Sequence, residues 1–356
     1  MWNKTEVTNK LSIKFPIIQA GMAGGITTSE LVAAVSNAGG LGMIGAGYMT
    51  PEELESNIQK IRDLTSKPFG VNLFVPEKPD VLQEEIESAN QLLEPIRQML
   101  GIEKKNDVPQ IDTAVFDEQI QIVLKYEVPV CSFTFGIPQR EIIDKLNNNG
   151  IIPIGTATTV KEAIMNEAAG MNMIVVQGSE AGGHRGSFAE SFDHSMIGTM
   201  ALIPQVADQV SIPIIAAGGI TDGRGVLASL VLGAKAVQMG TAFVTCKESG
   251  ANELHKKAIL NATEEQAVIT GAFSGKPARG LNNAFIKKMK EHETIFPAYP
   301  IQNMLTQDIR SEAAKQKNKE FMALWCGQNP RLSKNLHAAE LIEMITNQVE
   351  TIINKF

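Results

Sequence analysis

Residues 177–186, QGSEAGGHRG, set a single imidazole in a run of small residues just after the apolar stretch MIVV. A histidine in ordinary surroundings titrates near pH ~6.5, so His184 could move a proton or hold an anion around neutrality. The glycines beside it let backbone come close to a ligand. Of the five histidines, only His184 lies in such a loop. His194 follows ten residues later with neither an i, i+4 partner nor an H-E-x-x-H pattern, so no metal site is expected. His255, His292 and His337 fall in polar segments that read as solvated helices. Arg185 reads as a solvated neighbour, whereas Arg279 in GKPARGLNN could hold an anion or fix a loop.

Other positions suit a flat, phosphate-bearing ligand. QAGMAGG (19–25) offers backbone surface to a ring, with Met22 as a soft contact. Asn72 and Gln177 put amide groups into apolar runs, where each needs a partner in ligand or backbone. Gly218–Gly219 end one late apolar run and Gln238–Met239–Gly240–Thr241 end the next, where main-chain N–H groups can bind phosphate. Flavin mononucleotide (FMN) is the economical candidate. GLGMIG (40–45) matches the dinucleotide fingerprint G-x-G-x-x-G but stands after a helix and begins a strand, the reverse of what phosphate binding needs. It reads instead as helix capping and close packing.

The elements that must position these residues alternate. Eight apolar runs of strand length occur at 16–22, 41–47, 68–75, 128–136, 151–157, 173–179, 213–219 and 236–243. They are continuously apolar, as in strands covered on both faces of a parallel sheet. Between them lie helical spacings. Thr28 or Ser29 can cap one helix, Thr50 precedes Pro51 at the start of another, and Pro204 should kink or interrupt a third. Eight such repeats predict a TIM (β/α)8 barrel with a smaller substrate or lid domain.

The barrel is expected over 1–246, with a long helical insertion at 77–127 joined by the polar stretch GIEKKNDVPQ. A lid region follows over 247–330, and 331–356 should form a C-terminal helix packing back on the barrel. The 356 residues are 44% hydrophobic and 20% charged, with a net charge of −7, so nucleic acid is not an expected partner. An anionic substrate therefore needs a locally positive site. Three scattered cysteines, no signal sequence and no 18-residue apolar run suggest a reduced cytoplasmic protein without a membrane partner; a homodimer is compatible with the chain.

The stretches AGMAGGITTSELVAAVSNAGGLGMIGAGY, FGVNLFVP, SFTFGIP, QGSEAGGHRG, AAGGITDGRG, QMGTAF and GKPARGLNN run in order over nearly the whole chain. In them the sequence resembles the bacterial class I FMN-dependent nitronate monooxygenases, formerly 2-nitropropane dioxygenases. The resemblance implies FMN at the C-terminal face of the barrel, and oxidation of an alkyl nitronate by O2 to a carbonyl compound and nitrite. Propionate 3-nitronate, a metabolic poison, represents the substrate class, and detoxification the role. It also implies His184 as the catalytic residue, either base or anion partner. The implied FMN contacts are Gly21, Met22, Ala23, Asn72, Gln177, Gly182, Gly218, Gly219, Gln238, Met239, Gly240 and Thr241. Tyr299 is a candidate wall or donor of the substrate pocket. Two alternatives are a flavin-dependent enoyl-acyl-carrier-protein reductase using NAD(P)H and a non-catalytic FMN- or phosphate-binding barrel. Such reductases generally have Glu where Gln177 stands and lack KPARGLNN.

Overall fold

The computed structural model describes residues 1–103 and 113–355. Eleven strands lie among them: β1 Ile17–Gln19, β2 Gly42–Gly45, β3 Phe69–Phe74, β4 Val130–Thr134, β5 Ile152–Ala157, β6 Met173–Gln177, β7 Gly183–His184, β8 Ile214–Ala217, β9 Ala236–Met239, β10 Ala267–Thr270 and β11 Ala278–Leu281. Eight of them form one parallel sheet in the order β1-β9-β8-β6-β5-β4-β3-β2. The ends meet through an Ile18–Leu41 bridge, with Gln19 N–H donating to Leu41 O at 2.9 Å. The result is a nearly closed (β/α)8 barrel of the TIM type, with strands buried on both faces as their unbroken apolar runs require.

Met43, Val130, Ile154, Val175, Ile215 and Ala236 form a core cluster joined by Val7 and Leu11 of the helix Glu6–Leu11. Thr28 caps the helix Ser29–Asn37, and Thr50 caps Pro51–Leu64 with Pro51 in its first turn. The helix Thr199–Ala207 runs through Pro204 without interruption. The carbonyl that loses its donor belongs to Met200, which is 72% exposed and within reach of water. GLGMIG is a packing element: a Cβ on Gly42 would lie 2.2 Å from Val32 O. The helix Ala338–Ile353 lays Leu341, Ile342, Ile345 and Val349 on the same cluster as Leu31, Val35 and Val226, inside the outer layer of the barrel.

A second apolar core draws on two distant parts of the chain. Ile86, Leu93 and Ile96 of the helix Gln83–Met99 pack with Phe273, Phe285, Ile309 and Phe321. Arg97, 4% exposed, secures this association by donating to Asp308 at 2.8 Å and to Leu305 O at 2.8 Å. Most of the polar stretch GIEKKNDVPQ lies outside the described residues. No helix among the described residues is long and apolar enough to cross a membrane.

Candidate active site

His184 is not in a free loop. Residues 183–184 form β7, the edge of a three-stranded antiparallel sheet β10-β11-β7, with His184 opposite Ala278 and Gly183 opposite Arg279. The histidine loop and the KPARGLNN stretch are thus one structure. Arg279 fixes it: Nε and Nη2 donate to Ser179 O at 3.1 and 2.8 Å, and Nη1 to Ala267 O at 3.2 Å. Arg185 is 1% exposed rather than solvated, and it donates to the carbonyls of Gln177, Gly178 and Ser195 and to Gln177 Oε1. A buried guanidinium is tolerable because these acceptors replace water.

The imidazole stands at the C-terminal end of the barrel in a box of rings. Phe135, Tyr299 and Trp325 lie 5.7, 5.7 and 5.5 Å from it, centre to centre. Its Nε2 lies 2.9 Å from the Oγ of fully buried Ser274. Burial, followed by the nearby charges of Lys276 and Arg310, depresses its pKa from 6.5 to about 3. The ring is therefore neutral at pH 7. His255, expected on a solvated face, is 4% exposed; its Nε2 meets Trp325 O at 2.9 Å and burial lowers its pKa to about 4. It props the tryptophan that packs against His184.

One cavity meets Gly21, Met22, Ala23, Asn72, Gln177, Gly182, His184, Gly218, Gly219, Gln238, Gly240 and Thr241. Met239 is apart: its side chain is 1% exposed and belongs to the barrel–helix core. Gln177 is largely occupied by the loop, its Oε1 accepting from Arg185 and Gly186 N–H and its Nε2 donating to His184 O. Asn72 Nδ2 donates to Ser132 Oγ and Thr134 Oγ1, which leaves Oδ1 for the cavity. Sequence reading missed the opposite wall, formed by Trp325, Gly327 and Asn329. Gly327 N–H donates to Thr241 Oγ1 at 2.9 Å, and Asn329 Nδ2 to Gly219 O at 3.1 Å.

These surroundings fit a flavin. No charged side chain lines the cavity among the described residues, so a ring would meet neutral amides and backbone. Gly218 and Gly219 take φ of 117° and 70°, a turn conformation that can direct N–H groups at an anion. Gly240 begins the short helix Thr241–Val244 without a side-chain cap, so its first N–H groups have no partner in the helix. A Cβ on Gly240 would meet no protein atom nearer than 3.8 Å. Gly240 lines the cavity, and a Cβ there would fit against Ala20 and Met22 at ordinary van der Waals distance.

A parallel barrel with this cavity over its strand ends defines a class, the barrel enzymes that work on a cofactor held at the C-terminal face. The comparisons narrow it. The nitronate monooxygenase family model matches residues 4–348. A Staphylococcus haemolyticus protein described as "Probable nitronate monooxygenase" is 54% identical over 355 residues, 99% of each chain. The structure of a nitroalkane oxidase from Streptomyces ansochromogenes superposes with a TM-score of 0.91 at 39% identity, covering 98% of this chain and 99% of that one. FabK from Thermotoga maritima gives 0.79 at 33% identity, covering 99% and 98%. The chain belongs to the nitronate monooxygenase family and is a flavin-dependent oxidoreductase.

Proposed function

We propose that this enzyme uses FMN to oxidise alkyl nitronates with O2 to a carbonyl compound and nitrite, and that His184 generates the nitronate when the substrate arrives as a neutral nitroalkane. Gly21–Ala23, Asn72 and Gln238 would hold the ring, and Gly218–Gly219 with Gly240–Thr241 the phosphate. The flavin, when bound, supplies the redox chemistry. Removal of such toxic compounds in the cytoplasm is the role that goes with this activity.

The observation that carries the reading is the hydrogen-bond order at His184. Ser274 Oγ donates its only proton to Lys276 O at 2.9 Å. Toward Nε2 it can therefore only accept, so Nε2 carries the proton and Nδ1 keeps its lone pair. A neutral ring with a free lone pair can take the proton next to a nitro group, but it cannot attract an anion as an imidazolium would. Just outside the cavity lining, Lys276 is paired with Glu77 at 2.7 Å, which leaves Arg310 as the cation that favours the anion formed while opposing charge on the imidazole.

His184→Asn tests this. It should keep its yellow flavin and lose roughly 10²–10⁴-fold in kcat/KM with nitroethane, with a much smaller loss for pre-formed ethyl nitronate. Equal loss on both substrates would sink the base role. Anaerobic mixing separates the reductase alternative, since ethyl nitronate should bleach the flavin rapidly and NADH should leave it oxidised.

A further inference from the structure

Four successive residues after β8, Gly218 to Thr221, line the cavity, and their main-chain N–H groups donate to no acceptor among the described residues. Ile220 and Thr221 are buried, so an acceptor must reach them through the cavity. The carbonyls of the same turn are engaged by protein. Gly219 O accepts from Asn329 Nδ2 at 3.1 Å. Gly218 O lies 3.1 Å from the Thr199 hydroxyl, but Glu180 Oε2 is nearer to that hydroxyl, at 2.6 Å. A hydroxyl has one proton, and the charged acceptor at the shorter distance takes it. Asn329 is therefore the firm anchor of the turn. A peptide unit is planar and trans, so pinning Gly219 O also sets the direction of the Ile220 N–H.

The anchor belongs to a strap. Three consecutive residues each reach a different loop at the barrel mouth. Gly327 N–H donates to Thr241 Oγ1 at 2.9 Å, Gln328 N–H to Glu180 O at 3.0 Å, and Asn329 Nδ2 to Gly219 O. The segment thus ties together the loops that follow β9, β6 and β8, each of which borders the cavity.

We propose that Asn329 is a positioning residue for the cofactor: by holding Gly219 O it keeps the N–H groups of Gly218–Thr221 set to receive a phosphate monoester. This rests on the FMN reading above. The flavin ring lies outside its effect, because Asn329 acts through the turn.

The test compares FMN with riboflavin, which carries the same ring and ribityl chain but no phosphate. The full chain, stripped of flavin, is titrated with each by fluorescence quenching. Asn329→Ala should bind FMN about five-fold more weakly and riboflavin within about two-fold of wild type. Asn329→Asp, close in shape, replaces the donor by a negatively charged acceptor. It should weaken FMN at least as much and again spare riboflavin. Circular dichroism checks that both variants are folded. Unchanged FMN affinity in both variants, or equal weakening of both flavins, overturns the proposal. The wild type reports on the reading beneath it: binding FMN no better than riboflavin would overturn the phosphate assignment and the proposal with it. Neither titration needs turnover, so a failure to oxidise nitronates leaves this test standing.

Discussion

Ser274 and His184 define a device two side chains wide. With its single proton committed to Lys276 O, the serine fixes which imidazole nitrogen is bare. Ser274→Ala removes that bias, and kcat/KM for a neutral nitroalkane should fall about ten-fold while that for the nitronate barely moves. Because burial holds His184 near 3, its protonation should leave the nitroalkane kcat/KM flat from pH 8 down to about 4. An acidic limb centred on ~6.5 would contradict this. His184 itself was legible in the sequence as the one histidine among strand-end glycines. Ser274 was not, though it directly precedes GKPARG. The burial of Arg185 and His255 was hidden for a different reason: it depends on carbonyls from Ser195 and Trp325, which sequence spacing does not bring near.

Among the elements, the eight barrel strands could be read because both faces are buried and their composition is continuously apolar. The small sheet could not. β7 is two residues, Gly and His, and exists only because β11 pairs with it from 94 positions away, at Ala278 opposite His184. The glycines divide by what they make room for, which gives a paired test. Gly42→Ala puts a Cβ against Val32 backbone and should prevent folding of the barrel. Gly240→Val adds bulk to the cavity lining at an ordinary φ of −104° with no Cβ clash against protein, so the chain should fold but purify with little or no flavin. Folding is read by circular dichroism and occupancy by absorbance near the flavin bands. Equal flavin content in Gly240→Val and wild type would remove the assignment of that space to the cofactor.

At the scale of the molecule, barrel and late region are interdependent. Residues 1–246 alone would lack the helix Ala338–Ile353 over Leu31 and Val35, the β11 partner of His184, and the Trp325–Asn329 wall. Such a fragment should yield no soluble flavoprotein. Acid should also loosen the whole fold. His184 and His255, held near 3 and 4 chiefly by burial, stay neutral while the unfolded chain begins to take protons below about 6.5. Their contribution is complete above that pH and is lost as pH falls toward the folded values, so Tm should drop from pH 7 to 5. His255→Gln should make that drop shallower. Finally, the pairing of β7 carries an arithmetic constraint. Side chains on a strand alternate, with His184 turned to the cavity and Arg185 to the interior. A slip of β7 by one residue against β11 would exchange them, presenting a fixed cation to the reacting centre and burying the base. That register is what any change in the preceding loop must leave in place.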